Sequence, residues 1–284
     1  SSILSPHDFG TPQIRKRLYM VAIKDDICQK EKFQFPNGLK GKTNVKTILD
    51  KKKSVDKKYY LAKDEIEILN QWNYFIQNLN TDKKPPSPTW SQDFGRHYPL
   101  EKIHPITKPW GIIGRDLKFR KDVMKLFPPY IVSVKKPLPE WKKKFISNNR
   151  KFWNENQDDI GIQWLSEVRK FEQTYQKFEW QVGGEVRNIW KHLIQFRPSG
   201  IRVKKTDYIP ALVAIAQIPI IGWQKRRMTP KECARAQDFD VDGFISNGYL
   251  LSDIDSVAYK QLGNAVNVKL TKIIFQKIEN YIGE

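Results

Sequence analysis

Apolar residues recur along the chain in two rhythms. Ala62, Ile66, Leu69, Trp72, Ile76 and Leu79, with Phe75 at the border, recur at helical spacing, which predicts an amphipathic helix over 62–79 whose stripe faces a core. Two further helices are predicted over 138–156 (Trp141, Phe145, Phe152) and 160–178 (Trp164, Leu165, Val168, Phe171, Tyr175). Val266, Leu270, Ile273, Ile274 and Ile278 form a last helical stripe. Leu18 to Ile23 is instead an unbroken apolar run bounded by charge, which predicts a buried strand. Tyr208 to Ile221 is apolar, β-branched and interrupted by Pro210 and Pro219, as short strands at an edge or domain seam would be. The sum is a mixed α/β chain.

Between these elements the chain is punctuated. Residues 1–12 read as loop, and 24–58, lysine-rich with a turn at Pro36-Asn37-Gly38, as irregular structure. Residues 81–130 are dense in proline but carry Trp90, Phe94, Tyr98 and Trp110, which predicts an ordered loop. Gly111 to Gly114 is too common a pattern to mark a cradle, and His97 and His104 lack partners at metal-ligand spacing. Thr229-Pro230 followed by Glu232 predicts a helix start with a capping box. Gly263-Asn264 predicts a polar turn before the final helix.

Charge narrows the functions. Lys and Arg number 50 against 31 Asp and Glu, an excess of 19 that favours a polyanionic partner, with nucleic acid first. An acidic membrane surface is the alternative, but no apolar run approaches the length of a bilayer span. Two cysteines, Cys28 and Cys233, argue against a disulfide scaffold and for a reducing compartment.

The candidate contacts follow from the basic residues. In an extended segment Gln13, Arg15 and Arg17 point the same way over roughly 13 Å; arginine's planar fork suits phosphate oxygens and base edges. A solvated charged strand entry is the other reading. Arg197, Arg202, Lys204 and Lys205 form a basic loop or strand suited to DNA, or to plain solvation. Arg226 and Arg227 precede the capped helix as candidate phosphate contacts. Asp238, Asp240 and Asp242 are the one tight carboxylate group, read as a helix-end loop and not as a metal site.

Three pieces in fixed order carry a resemblance: Phe9-Gly10-Thr11-Pro12-Gln13-Ile14-Arg15-Lys16-Arg17, then Arg227-Met228-Thr229-Pro230-Lys231-Glu232-Cys233-Ala234-Arg235, then Tyr259-Lys260-Gln261-Leu262-Gly263-Asn264-Ala265-Val266. Together they resemble the eighth, ninth and tenth conserved motifs of DNA (cytosine-5) methyltransferases. The resemblance implies a partial Rossmann-like catalytic domain with a large, separate target recognition domain. Residues 1–24 would end the catalytic domain, 25–225 would be the recognition domain, and 226–284 would carry the last two motifs. It implies double-stranded DNA as partner and S-adenosylmethionine as cofactor, held in part by Gly263, Asn264 and Ala265. Arg15 and Arg17 would support catalysis, with Arg17 near the pyrimidine oxygen of a flipped cytosine. Arg227, Glu232 and Arg235 would organise the recognition domain. A bacterial or phage-like cytoplasmic setting, nucleoid-associated, is implied as well.

The chain departs from the family pattern in places. Ala211 stands where the segment Pro210-Ala211-Leu212-Val213 usually has Thr, Asp238 where Gly is usual and Asp240 where Pro is frequent. The family's nucleophile is a cysteine after proline; here Cys28 follows Ile27 and Cys233 follows Glu232. No Glu-Asn-Val and no Phe-x-Gly-x-Gly occurs either. The expectation is therefore a C-terminal portion or subunit of such an enzyme, binding DNA but inactive without an N-terminal half. The alternative is a non-catalytic, sequence-specific DNA-binding module derived from one.

Overall fold

The computed structural model describes residues 1–27, 32–39, 41–80, 82–106, 108, 127–212, 217–242 and 249–283. Cys28, Trp110, Gly111 to Gly114 and Val213 lie outside them. In chain order the strands are β1 (Ser2–Leu4), β2 (Gln13–Ile14), β3 (Arg17–Tyr19), β4 (Thr89–Trp90), β5 (Lys177–Gln181), β6 (Leu193–Arg197), β7 (Gly200–Lys204), β8 (Ile209–Pro210), β9 (Ile220–Ile221) and β10 (Arg226–Arg227). The α-helices are α1 (Lys63–Asn78), α2 (Pro129–Val132), α3 (Glu140–Ile160), α4 (Ile162–Val168), α5 (Pro230–Arg235), α6 (Asp255–Asn264) and α7 (Val268–Gly283). The fold is mixed α/β. The chain forms two compact units, one of Ser1–Lys63, Ile189–Phe196 and Val203–Glu284, the other of Asp64–Asn188 and Arg197–Arg202.

In the first unit, β1 and β3 form an antiparallel ribbon with Ile3 opposite Leu18. One face of the ribbon packs on α7. Phe9, Leu270 and Ile274 are buried there, with Leu4, Tyr19, Val21, Ile273 and Ile278 against them. The expected buried strand over 18–23 is not formed. Only Arg17–Tyr19 is strand, and Leu18 and Met20 are 59% and 78% exposed. Successive side chains of a strand point to opposite faces, so a ribbon covered on one side buries Tyr19 and leaves Leu18 outside. Above a second core run β10, β9 and β6 as neighbours, with Ile221 facing both Arg226 and Leu193. That core joins Ile209, Leu212, Met228, Cys233 and Leu262. The described residues of 24–58 are irregular as expected, apart from short 3-10 turns such as Val45–Ile48.

The second unit is built on aromatic packing. Trp72 on α1 is fully buried and lies flat on Phe178 of β5, ring centroids 4.7 Å apart and 5° from parallel. It meets Trp164 of α4 edge-on at 5.3 Å, and its indole N–H donates to the Tyr175 carbonyl at 2.8 Å. Phe94 stacks on Trp153 of α3 at 5.0 Å. The helix expected over 160–178 is shorter, because α4 ends at Val168. Phe178 is drawn instead into β5, where it pairs with Thr89 of β4 and takes its place on Trp72. Tertiary pairing overrides the helical rhythm there. β7 crosses close to β5 at Gly200, whose φ of 119° and whose hydrogen in place of a Cβ both matter: a Cβ would sit 2.6 Å from the Lys177 carbonyl oxygen.

Trp72→Ala removes the ring on which three aromatics rest, and is expected to destabilise the fold by about 3–5 kcal/mol. Denaturant unfolding followed by circular dichroism measures this; a loss below about 1 kcal/mol would remove Trp72 from the centre of the packing.

Candidate functional site

The first motif does not run as one extended strand. Gln13 and Ile14 pair in parallel with Ile209 and Pro210, whereas Arg17 already belongs to the ribbon with β1. The chain changes partner at Arg15 and Lys16. Gln13 and Arg15 therefore turn inward and are buried, while Arg17 is exposed and its guanidinium donates to the Lys16 carbonyl at 2.8 Å. The pairing brings the segment Pro210-Ala211-Leu212 beside the first motif across some two hundred residues of sequence.

Arg15 joins three stretches. Its Nη1 donates to the Leu212 carbonyl at 3.1 Å and its Nη2 to the Gly263 carbonyl at 2.9 Å, while its backbone N–H donates to Ser5 Oγ at 3.0 Å. Burial, and then the charge of Arg17, lower its pKa below the ordinary arginine value; the cation persists at any physiological pH. Both amide atoms of Gln13 and the Nε of Arg15 are buried without a partner among the described residues. Buried polar groups are normally satisfied, which sets these atoms apart within the buried part of the first motif.

Asp238 closes the arrangement. It stands at the position expected to differ from glycine, and its φ is 59°, in the left-handed region that favours glycine. Its carboxylate accepts from the Thr11 hydroxyl and from Asn267 Nδ2, the latter at 2.9 Å. Asn267 in turn caps α7, its Oδ1 accepting from the Leu270 N–H at 2.8 Å. Gln237 donates to the Leu262 carbonyl at 2.9 Å, and its own carbonyl accepts from the Val268 N–H. The three sequence motifs are thus stitched to one another inside the first unit. Asn267 ahead of a helical stripe was the signal for this cap in the sequence; the Thr11 bond had none.

The second motif forms the expected capping box: Glu232 N–H donates to Thr229 Oγ1 at 3.2 Å, and Thr229 N–H to Glu232 Oε2 at 2.8 Å. Glu232 also receives both guanidinium ends of Arg226, at 2.6 and 2.8 Å, with each side chain 0% exposed. Arg226 was expected to contact DNA. It is sealed in this ion pair and held further by Gln224 and the Arg227 carbonyl, so its charge is neutralised internally and does not reach a phosphate. Arg227 is half-buried. Arg235 pins the irregular segment through Asp50 at 2.8 Å and also binds Asp242 at 2.6 Å. Asp238 and Asp242 are therefore engaged in separate networks.

In the basic stretch, Arg202 is paired with Glu179, whose Oε2 accepts from Nε and Nη2 at 2.7 Å, and Arg197 lies 3.7 Å from the same carboxylate. Lys205 is exposed and Lys204 half-buried. Gly263 and Asn264 end helix α6, so the expected polar turn is shifted to Ala265–Asn267. Asn264 is exposed, and Gly263 and Ala265 are half-buried. Tyr259 on the same helix donates to the Met228 carbonyl at 2.6 Å, and its burial pushes the phenol pKa up. Cys233 is fully buried, and burial followed by the Glu232 charge pushes its thiol well above the usual range. Its side chain is closed off from solvent in this structure.

The first and third motifs thus meet at Arg15, and the second meets the third through Tyr259 and Met228. The sequence profile described as C-5 cytosine-specific DNA methylase matches residues 1–280, and the chain belongs to that family. It is similar to Type II methyltransferase M.AluI of Cellulosimicrobium cellulans, 33% identical over 56% of this chain and 30% of the relative. It is also similar to Type II methyltransferase M.BanI of Aneurinibacillus aneurinilyticus, 25% identical over 99% of this chain and 64% of the relative. Type II methyltransferase M.SsoII of Shigella sonnei is 47% identical over 22% of this chain and 16% of its own length. The chain thus spans less than two thirds of each of these relatives. No solved structure matches it significantly.

Glu232→Ala leaves Arg226 charged, buried and unpaired, and is expected to cost about 3–5 kcal/mol. The double change Arg226→Met with Glu232→Leu is expected to cost less than that single change, and a double-mutant cycle in urea measures the difference. Near-additive losses would show that the pair is not coupled. A second outcome concerns the thiols: Cys233 is expected to resist iodoacetamide in the native protein and to react fully in denaturant, read by peptide mass spectrometry.

Proposed function

We propose that this chain is the DNA-recognising and cofactor-supporting portion of a DNA (cytosine-5) methyltransferase, transferring a methyl group to C5 of a flipped cytosine in a specific duplex sequence. The observation that carries this reading is the Arg15 guanidinium held between the Leu212 carbonyl and the Gly263 carbonyl. A DNA-side motif, a segment near the end of the variable insert and the turn resembling a cofactor loop meet on one side chain. In this reading, exposed Arg17 approaches the base. Arg197, Arg202, Lys204, Lys205 and Arg227 belong to the surface that meets DNA, and residues 25–225 supply its specificity. Glu179 offsets part of the charge of Arg197 and Arg202, so these two orient the strand as well as attract phosphate.

Gly263, Asn264 and Ala265 would hold S-adenosylmethionine. The exposed carboxamide of Asn264 offers a donor and an acceptor, which fits a ligand bearing both an amino acid and a nucleoside. That cofactor supplies an electrophilic methyl group. This chain's own part is to fix the backbone around Arg15 and to present Arg17, while a thiolate comes from elsewhere in the enzyme.

The same unit bears apolar surface on both sides of its Phe9–Leu270–Ile274 cluster. Ile3, Leu18 and Met20 are exposed on the ribbon's outer face. On α7, Val268, Phe275 and Ile282 are exposed at seven-residue intervals, opposite the buried Leu270 and Ile274. We assign these faces to contact with the part of the methyltransferase that carries the Pro-Cys loop, as a preceding segment or as a separate subunit. The share of its relatives that the chain spans supports that occupant.

The test is transfer of labelled methyl from S-adenosylmethionine to duplex DNA. The chain alone is expected to bind duplex and transfer nothing; supplied with the Pro-Cys-bearing part, it is expected to turn over. Phe275→Glu should abolish that restoration while leaving the chain folded. Methyl transfer by the chain alone would sink the proposal, and DNA binding that no such part converts into transfer would favour a recognition module only.

A further inference from the structure

A cavity of about 430 Å³ in the second unit is lined by Gln92, Arg96, Pro129, Arg169, Gln173 and Gln176, among others. Two guanidinium groups share its wall. Arg96 Nε donates to the Gln92 carbonyl at 3.3 Å, and Arg169 Nη2 donates to the Phe94 carbonyl at 2.7 Å. One short turn therefore anchors both side chains by a single bond each. Among the described residues neither arginine forms a salt bridge, and no carboxylate lines the cavity. The carboxylate whose charge reaches Arg96 is Asp93, which is fully buried and committed to Tyr98 at 3.0 Å, to Tyr130 and, at 3.7 Å, to Arg150. Burial lowers the pKa of both arginines, and the charge of Arg96 lowers that of Arg169 further. Gln92 is 4% exposed; its Nε2 donates to the Gln173 carbonyl, but its Oε1 is buried with no donor among the described residues.

Half-buried Arg96 and exposed Arg169 face a cavity that holds no carboxylate among the described residues, so an anion entering it meets two cations and no counter-charge from them. Arginine's fork matches the oxygens of a phosphate group, which can accept from two guanidinium groups at once. The orphan carbonyl of Gln92 adds an acceptor for an N–H or O–H carried by the ligand or by a bridging water.

We propose that this cavity is a phosphate-binding site, with Arg96 and Arg169 as the ligating pair. The chain's excess of 19 positive charges favours a DNA backbone phosphate as its source, over a free phosphate or nucleotide. The site lies within residues 25–225 but uses none of the individual side chains named above as DNA contacts, and it requires no methyl transfer, so its test stands apart from the methylation assay.

The experiment uses the full chain with two probes. One is a duplex oligonucleotide, whose affinity is followed against salt; the other is inorganic pyrophosphate, titrated calorimetrically. With Arg96→Gln or Arg169→Gln, the slope of log affinity against log salt is expected to fall by about 1, the change that follows when a single phosphate is no longer neutralised by the protein. Pyrophosphate is expected to bind the parent chain and to compete with duplex, and to bind either variant at least tenfold more weakly. A fall in the DNA slope supports the backbone source. Loss of pyrophosphate binding with an unchanged slope supports the site but assigns it to a free phosphate. Arg96→Lys keeps the charge without the fork, so it should retain the slope and still weaken pyrophosphate, which covers the case in which Arg96→Gln fails to fold. Unchanged slope together with unchanged or absent pyrophosphate binding, in variants folded by circular dichroism, would overturn the proposal.

Discussion

Charge taken out of water is the constraint on which the first unit depends. Arg226 and Glu232 are both fully buried, and each would be costly without the other. Because Glu232 also accepts from the N–H groups of Thr229 and Asp50, the pair does more than cancel charge. It fixes the start of α5, the edge strand β10 and the irregular segment around Asp50 relative to one another. Arg15 follows the same logic with neutral partners: lacking a carboxylate, it is held by carbonyls from two distant stretches. Chains with so many cations usually leave them in solvent. Here the buried ones among the described residues are Arg15, inside the first motif, and Arg226, just ahead of the second.

The second unit solves its stability differently. Its centre is a stack of flat rings, Trp72, Phe178, Trp164 and Phe75, with indole N–H groups satisfied by backbone carbonyls. Large rings bury much area with few rotatable bonds, and Phe94 in the loop packs against Trp153 of α3 and Trp164 of α4 in this way.

Much of this was legible in the sequence, where the signal was local. The α1 stripe, the capping box at Thr229 and the last helix follow from spacing of three and four residues and from cap chemistry. The meeting of the three motifs was legible only through resemblance, because the bonds from Arg15 to Leu212 and from Thr11 to Asp238 join positions some two hundred residues apart. The misreadings have physical causes. Phe178 keeps a helical rhythm with Tyr175 and Phe171, yet its stacking on Trp72 draws it into a strand. Leu18 and Met20 sit in an apolar run that looks buried, yet alternation turns them away from the one core available to them. Arg226 reads as a surface cation until Glu232, six residues on, is seen to neutralise it.

Asp238 carries a mechanical consequence. With φ at 59° it sits where a side chain is a burden, and its carboxylate holds Thr11 with one lone pair and Asn267 with another. Thr11 precedes the strand that positions Arg15, and Asn267 begins the helix that backs the ribbon. The aspartate acts as a rivet through two plates. Asp238 thereby ties the start of α7 to the stretch that leads into Gln13, Arg15 and Arg17. Glycine at this position would relieve the backbone and remove both of these bonds.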